Sequence, residues 1–122
     1  MKISSIEVLG DDRCDSKYSD FRYATETHAI PLPKEFYLLG ELLSEHHDEG
    51  EYFWLIQDMD KKYYILSGAH DYTGWDCISH CTIGKAFDSL DEIHLHVPAT
   101  DNQDRPVRKL LLEQANADIK SS

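Results

Sequence analysis

A chain of 122 residues with 12 Lys and Arg against 23 Asp and Glu has room for one compact domain, residues 1–122, and carries a formal charge of −11. That charge argues against direct binding to nucleic acid, which needs a basic face to release counterions from the phosphates. The 41% hydrophobic fraction, with four Phe, seven Tyr and two Trp, argues against a disordered chain.

Residues 1–7 carry no continuous apolar stretch, so the start does not read as a signal peptide. No apolar run approaches the roughly 20 residues that cross a bilayer. Cys14, Cys77 and Cys81 form an odd set, which points to reduced thiols and a cytoplasmic setting.

In chain order, Ile3, Ile6 and Val8 suggest a short strand ending at Gly10, and the polar run to Asp20 reads as a loop. Phe21, Tyr23, Thr25 and Thr27 alternate, which predicts a strand or extended arm over residues 21–30. Pro31 and Pro33 stop it. From Pro33 to Glu49 the spacing of Phe36, Leu39, Leu42 and Leu43 predicts a helix, with Pro33 in its first turn and Gly50 as C-cap. Gly40 inside that segment opposes the helix by about 1 kcal/mol. Its polar face would present Glu35, Glu41, Glu45, Asp48 and Glu49, with His46 and His47 at the solvated end.

Residues 51–58 and 62–67 are aromatic and β-branched runs joined by Asp58-Met59-Asp60-Lys61, which predicts an antiparallel hairpin. Gly68 ends or bulges the second strand. Tyr72-Thr73-Gly74 turns the chain into a third strand over 76–83. Ser89 and Glu92 have capping-box spacing for a short helix over about 89–96. Asp104 and Pro106 open a last helix, about 105–119, with Val107, Leu110, Leu111, Gln114 and Ile119 along one side. Arg105, Arg108 and Lys109 make a basic spot on it, too small for nucleic acid. The expected class is α+β: a small antiparallel meander centred on 51–83, packed against helices.

The segment from His70 to Cys81 concentrates two His, two Asp, two Cys, a Tyr and a Trp. As a metal site it offers His70, Cys77, His80 and Cys81 to zinc. On a strand, however, Cys77 and Cys81 lie about 13 Å apart, whereas ligands of one zinc sit within about 4 Å of each other. The spacing is also not the C-x-x-C knuckle of zinc ribbons. As a catalytic site, Cys77 would be the nucleophile and His70 its base, with Asp71 or Asp76 orienting the ring. Two flanking carboxylates in a chain of this charge oppose a thiolate. As a structural turn, the segment uses Gly74 for a left-handed position and places Tyr72 and Trp75 as interface aromatics beside Asp71 and Asp76. That third reading leaves no catalytic residue, metal or cofactor to expect. The alternative is a small metal-dependent or cysteine enzyme using His70, Asp71, Asp76 and Cys77.

The stretch Tyr64-Ile65-Leu66-Ser67-Gly68-Ala69-His70-Asp71-Tyr72-Thr73-Gly74-Trp75-Asp76-Cys77 resembles one shared by small uncharacterised proteins of phages and bacteria, over roughly residues 52–95. The resemblance implies a phage or mobile-element setting, compatible with small inhibitors of host defence or nuclease machinery. An acidic domain attracts basic protein surfaces, many of which handle nucleic acid. The expected function is therefore a small acidic protein-binding module: an inhibitor of the anti-CRISPR or anti-restriction type, or an immunity protein against a nuclease toxin. Its expected partner is a basic protein. The partner-binding candidates are Glu41, Glu45, Asp48, Asp58, Asp60, Asp71, Tyr72, Trp75 and Asp76. Asp88, Asp91 and Glu92 extend the acidic set, and such a face would imitate a phosphate backbone.

Overall fold

The computed structural model describes residues 19–46, 49–71, 78–95, 97–100 and 104–120. They form helix α1 (Ser19–Thr27), strands β1 (Phe36–His46), β2 (Glu49–Asp58), β3 (Tyr63–Asp71) and β4 (Ile78–Ile83), a 3-10 helix (Leu90–Leu95) and helix α2 (Val107–Lys120). The four strands make one antiparallel sheet in the order β1-β2-β3-β4. The class is α+β, and the meander expected over 51–83 is extended by one strand on its N-terminal side. The strand expected at residues 3–8, the turn on Gly74 and most of the loop expected to run to Asp20 lie outside the described residues; the last two residues of that loop, Ser19 and Asp20, open α1 instead.

The β2–β3 hairpin forms where its turn chemistry placed it. Asp58 N–H donates to the Lys62 carbonyl at 2.9 Å, and Lys61 takes a positive φ of 65°. Asp58 Oδ1 accepts from the backbone N–H groups of Asp60 and Lys62, both at 2.9 Å. A short carboxylate that bonds the next backbone donors is what stabilises such a turn. Gly68 does not end β3, which runs on to Asp71. A Cβ at Gly68 would come within 2.5 Å of the Tyr52 ring and 2.6 Å of the His80 carbonyl oxygen. The glycine is needed for that close approach.

The helix expected over 33–49 is not formed; residues 36–46 are β1, an edge strand. The misleading signal has two physical causes. Both faces of the sheet are covered, so β1 needs apolar residues on each face and shows no clean alternation. Its register with β2 also shifts between Leu38 and Gly40, a bulge that resets the period. Phe36 and Leu38 therefore pack on one face and Leu39 and Leu42 on the other. At Gly40 a Cβ would lie 3.1 Å from Leu111 of α2, so this glycine marks close packing within a strand.

The strand expected over 21–30 is helical instead, as α1. Phe21, Ala24 and Thr25 are buried on one side, a helical i, i+3, i+4 stripe. Tyr23, which the alternation placed with Phe21, is 63% exposed. Arg22 and Glu26 form an i, i+4 ion pair at 3.1 Å. The helix ends with Ala29 at φ 50°. Ala29 N–H donates to the Glu26 carbonyl, and Ile30 N–H to the Thr25 carbonyl. That is a Schellman closure with alanine where glycine is usual, and Pro31 follows it.

The sheet is sandwiched. On one face Phe36, Leu38, Trp54, Ile56, Leu66 and Cys81 meet Phe21 and Ala24 of α1. On the other, Leu39, Leu42, Phe53, Leu55 and Ile65 meet Val107, Leu111 and Ala115 of α2, together with Phe87, Ile93 and Val97. Trp54 is fully buried and meets Phe21 edge-on, ring centroids 5.3 Å apart. Each large apolar side chain buried this way contributes about 1.5–3 kcal/mol, which explains why β2, apolar on both faces, is central. The helices expected near 89–96 and 105–119 are the 3-10 helix and α2. Arg108 of α2 forks onto the Val97 carbonyl at 2.8 and 3.1 Å, and Arg105 donates to the Leu43 carbonyl at 2.9 Å.

Candidate partner-binding surface

The sheet separates the candidate residues. Glu45 pairs with Gly50, and Asp71 with Glu49, so both sit at one end of the strands. Asp58 and Asp60 sit at the β2–β3 turn. The ten residues of β2 put these ends about 30 Å apart at 3.3 Å per residue. Asp48, Tyr72, Trp75, Asp76 and Cys77 lie outside the described residues.

Glu41 is half-buried, and its carboxylate faces the sheet. It stands directly opposite Trp54 in the β1–β2 register, and Trp54 Nε1–H donates to its Oε2 at 2.8 Å. The backbone of Glu41 is held as well: its N–H donates to Gln114 Oε1 at 2.8 Å, and its carbonyl accepts from Gln114 Nε2 at 3.0 Å. The Gln114 amide stands in for a neighbouring strand on this edge and protects it from edge pairing. Glu41 is thus a structural carboxylate, and the helical acidic face to which it was assigned does not exist.

Asp58 and Asp60 belong to a better-defined feature. Beside the β2–β3 turn, the strap from α1 to β1 and the turn line an open pocket of about 570 Å³. Pro31, Leu32 and Pro33 of the strap and Met59 and Tyr64 contribute its apolar lining. Glu35, Asp58 and Asp60 bring three carboxylates to it, against one cation, Lys34, among the lining residues. Tyr64 O–H donates to Asp58 Oδ2 at 3.0 Å, which fixes the ring against the turn. Burial, and then this bond, raise the Tyr64 pKa. Close by, Lys62 is held by Asp88, whose hydrogen bond and charge raise the lysine pKa. Glu92 Oε2 accepts from Asp88 N–H at 3.3 Å. This end of the sheet therefore gathers Glu35, Asp58, Asp60, Asp88 and Glu92. Sequence reasoning named Asp58 and Asp60 but read Pro31 and Pro33 as strand breakers, and Pro33 also as the first turn of a helix. The alternating prolines before an acidic residue were the signal for a rigid strap.

Of the residues of the enzymatic alternative, Asp76 and Cys77 lie outside the described residues. His70 stacks on Tyr52, ring centroids 5.9 Å apart, and its direct partner on β4 is Ser79. Ser79 Oγ lies 3.4 Å from His28 Nε2, a long contact tying the segment after α1 to β4. Cys81 is 7% exposed, and burial pushes its thiol up to about 11, the opposite of an activated nucleophile. Among the described residues no three His, Cys, Asp or Glu side chains converge on a metal position, and no helix is long and apolar enough to cross a membrane.

Comparison with known proteins finds no matching family model, no matching curated protein and no matching solved structure.

Proposed function

We propose that this chain is a small acidic protein-binding module, acting in the cytoplasm, that blocks a basic nucleic-acid-handling protein. The supporting observation is the charge of −11 on 122 residues, combined with exposed carboxylates at Glu35, Asp60 and Asp88 around the β2–β3 end. A field of that sign speeds encounter with a positively charged groove and disfavours nucleic acid itself. The carboxylates compete for the lysines and arginines that would otherwise neutralise phosphates. The resemblance of residues 64–77 to phage and bacterial proteins supports the same class: a phage or mobile-element inhibitor of CRISPR or restriction systems, or an immunity protein against a nuclease toxin.

The test is capture from host lysate on immobilised protein at low salt and at about 0.5 M, where the Debye length falls well below its physiological ~8 Å. The expected result is a basic partner held at low salt and largely released at high salt. Recovery of partners indifferent to salt, or of none, contradicts the electrostatic reading.

A further inference from the structure

We infer that the pocket between the Pro31–Glu35 strap and the β2–β3 turn is an arginine-recognition site, taking one arginine side chain and its flanking backbone from the basic partner. The inference rests on the reading in the preceding subsection and assigns it a place on the molecule. Three features of the pocket select this occupant.

The first is volume. About 570 Å³ lies within the ~300–1,000 Å³ of pockets that enclose drug-sized ligands, more than a metal ion or one small anion requires. The second is the mixed lining. Pro31, Leu32 and Met59 offer apolar surface to an aliphatic stem, and the half-buried Tyr64 offers an aromatic face. A bare carboxylate cluster that attracted any cation would carry no such surface. Arginine has both a long apolar stem and a planar, weakly hydrated head that stacks on aromatic rings, whereas lysine has a compact, strongly hydrated one. The third is the placement of charge. Glu35 and Asp60 are exposed at the pocket, while Asp58 is committed to the turn and to Tyr64. Glu35 and Asp60 are thus the carboxylates positioned for the fork of a guanidinium, and Asp58 keeps the ring in place beneath it. Pro31 and Pro33 fix φ in the lining strap, so less order is lost when the site fills.

The probe is a capped pentapeptide, acetyl-Gly-Gly-Arg-Gly-Gly-amide, titrated into isotopically labelled full-length protein and followed by amide chemical shifts. Matched peptides carry lysine or citrulline, the neutral isostere of arginine. The expected shifts concentrate on residues 32–35 and 58–64, and both the lysine and citrulline peptides bind about tenfold more weakly or worse. The double variant Glu35→Gln with Asp60→Asn touches neither the turn bonds of Asp58 nor the core. It is expected to weaken the arginine peptide by about tenfold with the remaining spectrum unchanged. Tyr64→Leu is expected to remove the preference for arginine over lysine. Shifts scattered over the acidic surface, equal binding of arginine and lysine or citrulline, or no shifts at all would overturn the inference. Lysate capture separates the two levels. A salt-sensitive basic partner held equally by wild type and the double variant refutes the pocket and leaves the broader reading standing. Arginine-selective binding without such a partner refutes the broader reading and leaves the pocket standing.

Discussion

The Cys81 thiol lies on β4 against the α1 side of the sheet, and removal from water raises its pKa from 9.0 to about 11. The fold therefore keeps a proton that the unfolded chain loses first. Stability from this group is whole below pH 9 and is lost as pH climbs through the interval to about 11, by up to about 3 kcal/mol at 1.36 kcal/mol per unit. Native protein treated with iodoacetamide near pH 8 is expected to leave Cys81 unmodified by peptide mass mapping, with rapid labelling in denaturant. Labelling of Cys81 in the native state at the rate of a free thiol would contradict this. The burial of Cys81 in the core agrees with the sequence argument against it as a zinc ligand. Sequence reasoning misplaced Glu41, because a carboxylate that faces an indole N–H across two strands leaves no trace in the spacing of its own segment.

At the scale of elements, the hairpin over 51–67 was readable because aromatic and β-branched runs flank a turn whose Asp58 supplies the necessary acceptors. β1 and α1 were not. A strand buried on both faces and interrupted by a bulge produces apolar residues at intervals that match a helix by accident. A helix of nine residues offers too few turns for its period to outweigh a chance alternation. Gly40 opposed the helical reading, and in the strand it gives Leu111 room for close packing. The edge formed by β1 depends on Gln114 of α2, whose amide satisfies both backbone groups of Glu41. Gln114→Ala leaves the half-buried N–H of Glu41 without its acceptor, and the expected cost is about 1–3 kcal/mol in denaturant unfolding. Amide exchange at Glu41 should accelerate while Leu42 stays protected, since alternate residues of an edge strand point their donors to opposite sides. An unchanged unfolding midpoint would show that water replaces the glutamine without loss.

For the whole molecule, composition made the charge legible, and the proposed class of partner is argued from it, because net charge governs association rather than fold. It did not make the site legible. Glu35 and Asp60 lie 25 positions apart in the chain and meet at one pocket only because the strap before β1 passes the β2–β3 turn, a consequence of tertiary closure. Of the acidic residues chosen from the sequence, Glu45 and Asp71 sit at one end of the strands and Asp58 at the other, while Asp48 and Asp76 lie outside the described residues. The working surface proposed above is the β2–β3 end, where Glu35, Asp58, Asp60 and Asp88 gather. In the proposed function, this surface occupies a groove otherwise filled by nucleic acid. The most direct measurement is competition: fluorescence anisotropy of labelled nucleic acid bound to the captured partner, read as this protein is added. Stoichiometric release of the nucleic acid at physiological salt, lost when Glu35 and Asp60 are neutralised together, is the predicted result. A stable ternary complex with the anisotropy of the bound nucleic acid unchanged would contradict it.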